Sequence, residues 1–109
     1  MMSHSTGTPT AAEKHWMDFL QDFGCCVCRR QGRGFVPTEI HHIVSGNRRL
    51  GHLKTLSLCY HHHRAAPAGS GEISRHPYKA RFEAAYGTED ELLEYLQRRY
   101  VQIRGKLAA

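Results

Sequence analysis

No run of apolar residues in this chain of 109 is long enough to span a bilayer. Its start lacks the basic segment and apolar core of a signal peptide. The expectation is a soluble intracellular protein with no membrane partner. No internal repeat and no low-complexity block breaks the chain, and its length leaves room for one small domain with an adequate but not generous core. Acidic side chains are in the minority. Ten Asp and Glu face 15 Lys and Arg, a net charge of +5. That balance favours an anionic partner, most commonly nucleic acid, although a merely soluble basic protein fits it too. Cysteines are few, only four. An even count permits two disulfides, but in an intracellular chain metal binding is the more frequent use.

What is abundant is histidine, with nine residues. The sequence around them divides readily. Residues 1–9, rich in Ser, Thr, Gly and Pro, read as a disordered arm. A single domain follows over 10–105. The terminal "KLAA", 106–109, resembles a cloning remnant. Within the domain, Thr10 and Glu13 fit a capping box for a helix over 10–23. Trp16, Phe19, Leu20 and Phe23 then form its apolar stripe, and Gly24 its stop. "CCVCRRQGRG" (25–34) reads as a turn and "FVPTEIHHIV" (35–44) as a strand or hairpin arm. "SGNRRLGHL" (45–53) reads as a basic loop and "KTLSLC" (54–59) as a second strand, with Leu56 and Leu58 on one face. A helix is expected from about Tyr60 or His61, and "APAGSGE" (66–72) ends it. Residues 76–87 read as a helix with Pro77 in its first position and Phe82 and Tyr86 facing inward. Thr88 with Glu91 caps a last amphipathic helix whose apolar side carries Leu92, Leu93, Leu96 and Tyr100. The fold class is α+β: a compact ββα unit with metal-type residues at its corners, surrounded by helices.

Two constellations carry chemistry. Cys25-x-x-Cys28 places two thiolates toward one ion. Cys59-x-x-His62 has the same spacing and follows after 30 intervening residues. Together they make the four soft or borderline ligands of a structural zinc knuckle. Cys26 is left over as a small buried thiol, and loss of the zinc is expected to unfold so small a domain. The second constellation is His41 and His42. Neighbouring side chains of a strand point to opposite faces, so one histidine can bind a metal while the other faces substrate. His63 follows His62 directly. On a helix neighbours differ by about 100°, so His63 can turn from the structural site toward His41.

The pattern "CxxC … HHI … LCxxHH", residues 25–64, resembles the HNH, or ββα-metal, nuclease family. The stretch "HHH" followed by "SRHPYKARFEAAYGTEDELL" is similar to its Ref-type subgroup, phage recombination-enhancement nucleases that act with the bacterial recombinase RecA. A short arm that is not strongly basic stands where those proteins carry a long basic one. The resemblance implies His41 and His63 as ligands of a catalytic divalent metal and His42 as general base. Many members place a last ligand four residues beyond the position of His63. Here that residue is Pro67, and His76 is the best substitute. The middle Asn of the motif is absent. Lys54 or Thr55 occupies its region, and Asn47 comes too early.

The implied activity is phosphodiester hydrolysis by an endonuclease or nickase, with products ending in a 5′ phosphate and a 3′ hydroxyl. The implied cofactors are a structural Zn²⁺ and Mg²⁺, Mn²⁺ or Zn²⁺ at the active site. Partners would be DNA and a RecA filament, in the cytoplasm of a bacterium or a phage-infected host. Arg48, Arg49, Arg64, Arg75 and Lys79 are candidates for holding flanking phosphates. Such contacts carry no sequence information, so weak specificity is expected. His4, His15 and His52 read as ordinary surface or loop histidines, of which His52 in the loop is the one best placed to approach the site, and His61 has no assigned role. The alternative is a non-catalytic zinc module that binds nucleic acid.

Overall fold

The structure is a computed structural model and describes residues 8–105. Most of the expected arm, with His4, and the remnant 106–109 lie outside the described residues. Five helices and four short strands follow in the order α1 (Ala11–Phe23), α2 (Cys26–Arg30), β1 (Glu39–His42), β2 (Val44–Ser45), β3 (Arg48–Arg49), β4 (Thr55–Leu58), α3 (Tyr60–His63), α4 (Lys79–Tyr86) and α5 (Glu89–Arg104). The result is a small mixed α+β fold with two two-stranded sheets.

Helix α1 starts where its cap chemistry dictates. The Thr10 hydroxyl accepts from the Glu13 N–H, and the Glu13 carboxylate accepts from the Thr10 N–H. Helix α5 begins with the same reciprocal pair, Thr88 and Glu91. Such a cap contributes about 1 kcal/mol. Helix α1 stops at Gly24, which has φ of 81° and would drive a Cβ to 2.5 Å from the Val36 carbonyl oxygen. Only glycine takes that turn without strain.

The apolar stripes meet as the periodicity predicts. Trp16, Phe19, Leu20 and Phe23 of α1 are buried, as are Leu92, Leu93, Leu96 and Tyr100 of α5. Tyr100 lies between them, its ring centroid 5.7 Å from Trp16 and 5.1 Å from Phe19. Strand β4 pairs antiparallel with β1 in a register that sets Glu39 against Leu58 and His41 against Leu56. All four β4 residues are buried, because α1, α2 and α5 all pack against this strand. The core is thereby built around β4, and it fixes the two histidines of β1. The Trp16 indole donates to the Thr55 hydroxyl, which in turn donates to the His52 carbonyl. That chain of bonds pins the loop that ends at β4.

Several expectations need correction. Residues 26–30 form a short helix rather than a simple turn. The Cys25 sulfur accepts from the Cys28 N–H at its start, and the Arg29 N–H bonds the Cys25 carbonyl. The first strand occupies only Glu39–His42, because residues 35–38 run outside the ladder with Pro37 among them. The basic loop is in part a hairpin, with Val44 opposite Arg49 and Ser45 opposite Arg48. Pro77 is not the first residue of a helix. Helix α4 starts two residues later at Lys79, since the Arg75 and His76 N–H groups bond the His62 and His63 carbonyls and hold this segment beside α3. Phe82 is fully buried and Tyr86 half-buried.

Candidate metal centres

Helix α2 and the β4–α3 corner bring Cys25, Cys28, Cys59 and His62 together, all four buried, with their ligand atoms within 4.8 Å of one another. The His62 Nδ1 stands 3.6, 3.5 and 3.3 Å from the sulfurs of Cys25, Cys28 and Cys59. The Cys28 and Cys59 sulfurs are 3.9 Å apart. A tetrahedron built on ordinary Zn–S and Zn–N bond lengths has edges of about 3.5–3.8 Å. The four residues therefore fit an ion such as zinc. Hydrogen bonds from Cys25 and His62 hold the Cys59 thiol far below its ordinary range, at about 3, and the thiolate is the form that binds metal. The bond to Cys59, together with burial, pushes Cys25 up in exchange. On the far side of the His62 ring, Nε2 meets a Glu72 carboxylate oxygen at 2.6 Å. Glu72 is held at about 2 by its bonds to His62 and Tyr86. Cys26 points away from this cluster into the core, where burial pushes its thiol up to about 12.

A second cluster consists of His41 from β1, His63 from α3 and His76 from the segment before α4. The His41 Nδ1 and His63 Nε2 are 3.2 Å apart. That is close to the edge of about 3.3 Å expected between nitrogens on one tetrahedral ion. The His76 ring centroid lies 5.2 Å from each of the other two. The outward nitrogens of two rings are taken by carboxylates. His41 Nε2 meets Glu89 at 2.7 Å, and His63 Nδ1 meets Glu39 at 2.8 Å. A carboxylate behind an imidazole fixes its tautomer and strengthens it as a ligand. Burial lowers the pKa of His63 and of His76, which keeps both rings in the neutral, ligating form. The set grades from buried His41 to exposed His76. Three imidazoles graded in this way could hold an ion and leave a position open on the accessible side.

His42, the next residue of β1, is half-buried. Its Nε2 lies 3.1 Å from the His52 Nδ1. Burial, with the charge of Arg49 adding to it, lowers the His42 pKa to about 4. The imidazole is neutral throughout the physiological range.

The cationic residues separate into two groups. Arg48 and Arg49 stand exposed on β3. Arg64 is bound to Glu39 through two hydrogen bonds, Arg75 to Glu89, and Lys79 reaches within 4.0 Å of Glu89. His61 is exposed and leans on Tyr60. The residues that sequence reasoning missed are Glu39, Glu72 and Glu89, the carboxylates behind the three best-held imidazoles. A weak signal existed only for Glu39, which shares a strand face with His41.

No helix among the described residues is long and apolar enough to cross a membrane. No curated protein matches the chain. Residues 9–101 match the family described as "Recombination enhancement, RecA-dependent nuclease". The match covers most of the chain, both metal-type clusters included, so the chain belongs to that family and has the role of a nuclease in recombination.

Proposed function

We propose that the chain is a metal-dependent, HNH-type DNA endonuclease or nickase of weak sequence specificity that acts with RecA-coated DNA. The observation that carries this reading is the neutral His42 imidazole one residue from the His41–His63–His76 cluster. The β1–β4–α3 order supports the ββα-metal assignment. In this reading Cys25, Cys28, Cys59 and His62 hold zinc and fix the corner from which His63 projects. His41, His63 and His76 hold the catalytic divalent metal.

When bound, that metal neutralises charge on the scissile phosphate and on the leaving 3′ oxygen. The chain's own residues do the rest. His42 takes the proton from the attacking water. For that its Nδ1 must be unprotonated, so its Nε2–H donates to the His52 Nδ1. His52 then orients the base in place of the missing Asn of the motif. Its own position is secured by the Thr55–Trp16 bonds. Glu89 and Glu39 keep His41 and His63 turned toward the metal. Arg48 and Arg49 contact flanking phosphates, as Arg64, Arg75 and Lys79 do where their carboxylate partners leave donors free. The cytoplasm, where RecA acts on DNA, is the proposed location.

A nicking and linearisation assay on supercoiled plasmid tests the reading, run with Mg²⁺, Mn²⁺ or chelator and with or without RecA filaments. Cleavage that needs the divalent metal and rises on RecA-coated DNA is expected. Cleavage unaffected by chelator would refute the metal-dependent mechanism, and no cleavage under any condition would favour the binding-module alternative.

A further inference from the structure

Among the described residues the exposed Phe, Tyr and Trp side chains are Phe35, Tyr60 at 53% and Tyr78 at 48%. Two of them adjoin the three-imidazole cluster along the chain. Tyr60 opens α3, one turn before His63, and Tyr78 follows His76 by two residues. Each carries a guanidinium over its ring. Arg64 lies 5.1 Å from the Tyr60 centroid and Arg81 lies 5.2 Å from that of Tyr78. The guanidinium over Tyr60 is also tied to the cluster, and the backbone leading to Tyr78 is held beside it. Arg64 bonds Glu39, which bonds His63. The His76 N–H bonds the His63 carbonyl, and the Tyr78 carbonyl accepts the first N–H bond of α4 from Phe82.

A cleft of about 430 Å³ opens beside Tyr78 and Arg81 and is walled by Pro67, Gly69, Glu72 and Ser74. That volume lies in the range of a small-ligand pocket. The acid in its wall is already satisfied by Arg33, His62 and Tyr86, so it does not oppose an anionic strand.

An exposed aromatic ring braced by a cation suits a nucleobase that has left its stack. Every base has a π-face, and an unpaired base gains from stacking where a base inside a duplex is already stacked. We infer that the site takes a nucleic-acid strand that is unpaired at the point of cleavage, with nucleobases stacked on Tyr60 and Tyr78 and one nucleotide lodged in the cleft beside Tyr78. This rests on the nuclease reading and names the substrate form of that same site.

The test measures binding without cleavage, on the zinc-loaded full chain with no added Mg²⁺ or Mn²⁺. Anisotropy of fluorescein-labelled oligothymidylate is compared with that of a labelled hairpin duplex for wild type, Tyr60→Leu and Tyr78→Leu, and with the Tyr60→Phe and Tyr78→Phe variants as rescue. Each leucine variant should weaken single-strand binding about fivefold or more. Duplex binding should stay unchanged, and phenylalanine should restore the wild-type affinity. Because both rings are exposed, zinc content and circular dichroism should match wild type. Unchanged single-strand binding, or equal loss on the duplex, would overturn the inference. Loss seen solely on RecA-coated strands would also overturn it, by assigning the tyrosines to a protein contact. Stacking with no plasmid cleavage would uphold the inference about binding while refuting the nuclease mechanism.

Discussion

Replacing Glu89 by Gln keeps the shape of the side chain and removes its charge. Glu89 is nearly fully buried, with His41 Nε2 at 2.7 Å and Arg75 Nε at 2.5 Å from the same oxygen. Burial pushes its carboxyl up, yet the bonds from His41 and Arg75 outweigh that and hold it at about 2, against an ordinary 4.5. A difference of that size corresponds to about 3 kcal/mol of stabilisation. Because the folded value is depressed, the stabilisation is complete above about pH 4.5 and fades as the pH falls toward 2. A neutral-pH measurement therefore samples all of it. Glutamine keeps one acceptor oxygen but leaves the Arg75 charge, only 12% exposed, without its counter-ion.

The expected cost is about 2–3 kcal/mol, seen as a Tm lower by about 10 °C or more in thermal unfolding with saturating zinc. Adding Arg75→Met to the glutamine variant should recover part of the loss, since the orphaned charge goes with it. A glutamine variant within about 0.5 kcal/mol of wild type would refute this account of Glu89. So would an Arg75→Met effect of equal size in both backgrounds.

Three further outcomes are expected. Cys28→Ser, or prolonged chelation, should remove the proposed structural zinc and collapse the far-ultraviolet dichroism of the whole domain, because α2 and the β4–α3 corner converge on the Cys25–Cys28–Cys59–His62 cluster that would hold it. His63→Ala should retain one tightly held zinc and lose a second, exchangeable metal, as counted by elemental analysis after dialysis. Arg48→Ala and Arg49→Ala should each weaken DNA binding with little regard to sequence and reduce the salt-dependence slope by about one, measured as log K against log salt.

How much of this was legible in the sequence differs from element to element. Both long helices could be read to within a residue at their starts, since Thr10–Glu13 and Thr88–Glu91 are local signals and the stripes of Trp16 to Phe23 and Leu92 to Tyr100 are periodic. The two Cys/His groups that the structure brings together were legible for a related reason. Cys-x-x-Cys and Cys-x-x-His place their atoms through local geometry, and the resemblance supplied the pairing of His41 with His63. Pro77 misled because the bonds of Arg75 and His76 to α3 are tertiary, and they override a local preference for the first helical turn. Glu89 was invisible as a partner of His41, which lies 48 residues away, because an acid in the first turn of a helix is sufficiently explained by the helix dipole. The bond between His42 and His52 likewise depends on how the loop folds back, with Thr55 and Trp16 holding it in place.

The central claim is that His42 is the base beside a three-imidazole metal site. Its most direct test is single-turnover cleavage of a labelled DNA substrate by His42→Ala and wild type at equal metal content. The account predicts that the variant folds, keeps both metals and binds DNA as wild type does, while its cleavage rate falls by about a hundredfold or more. A variant that cleaves at the wild-type rate would contradict it.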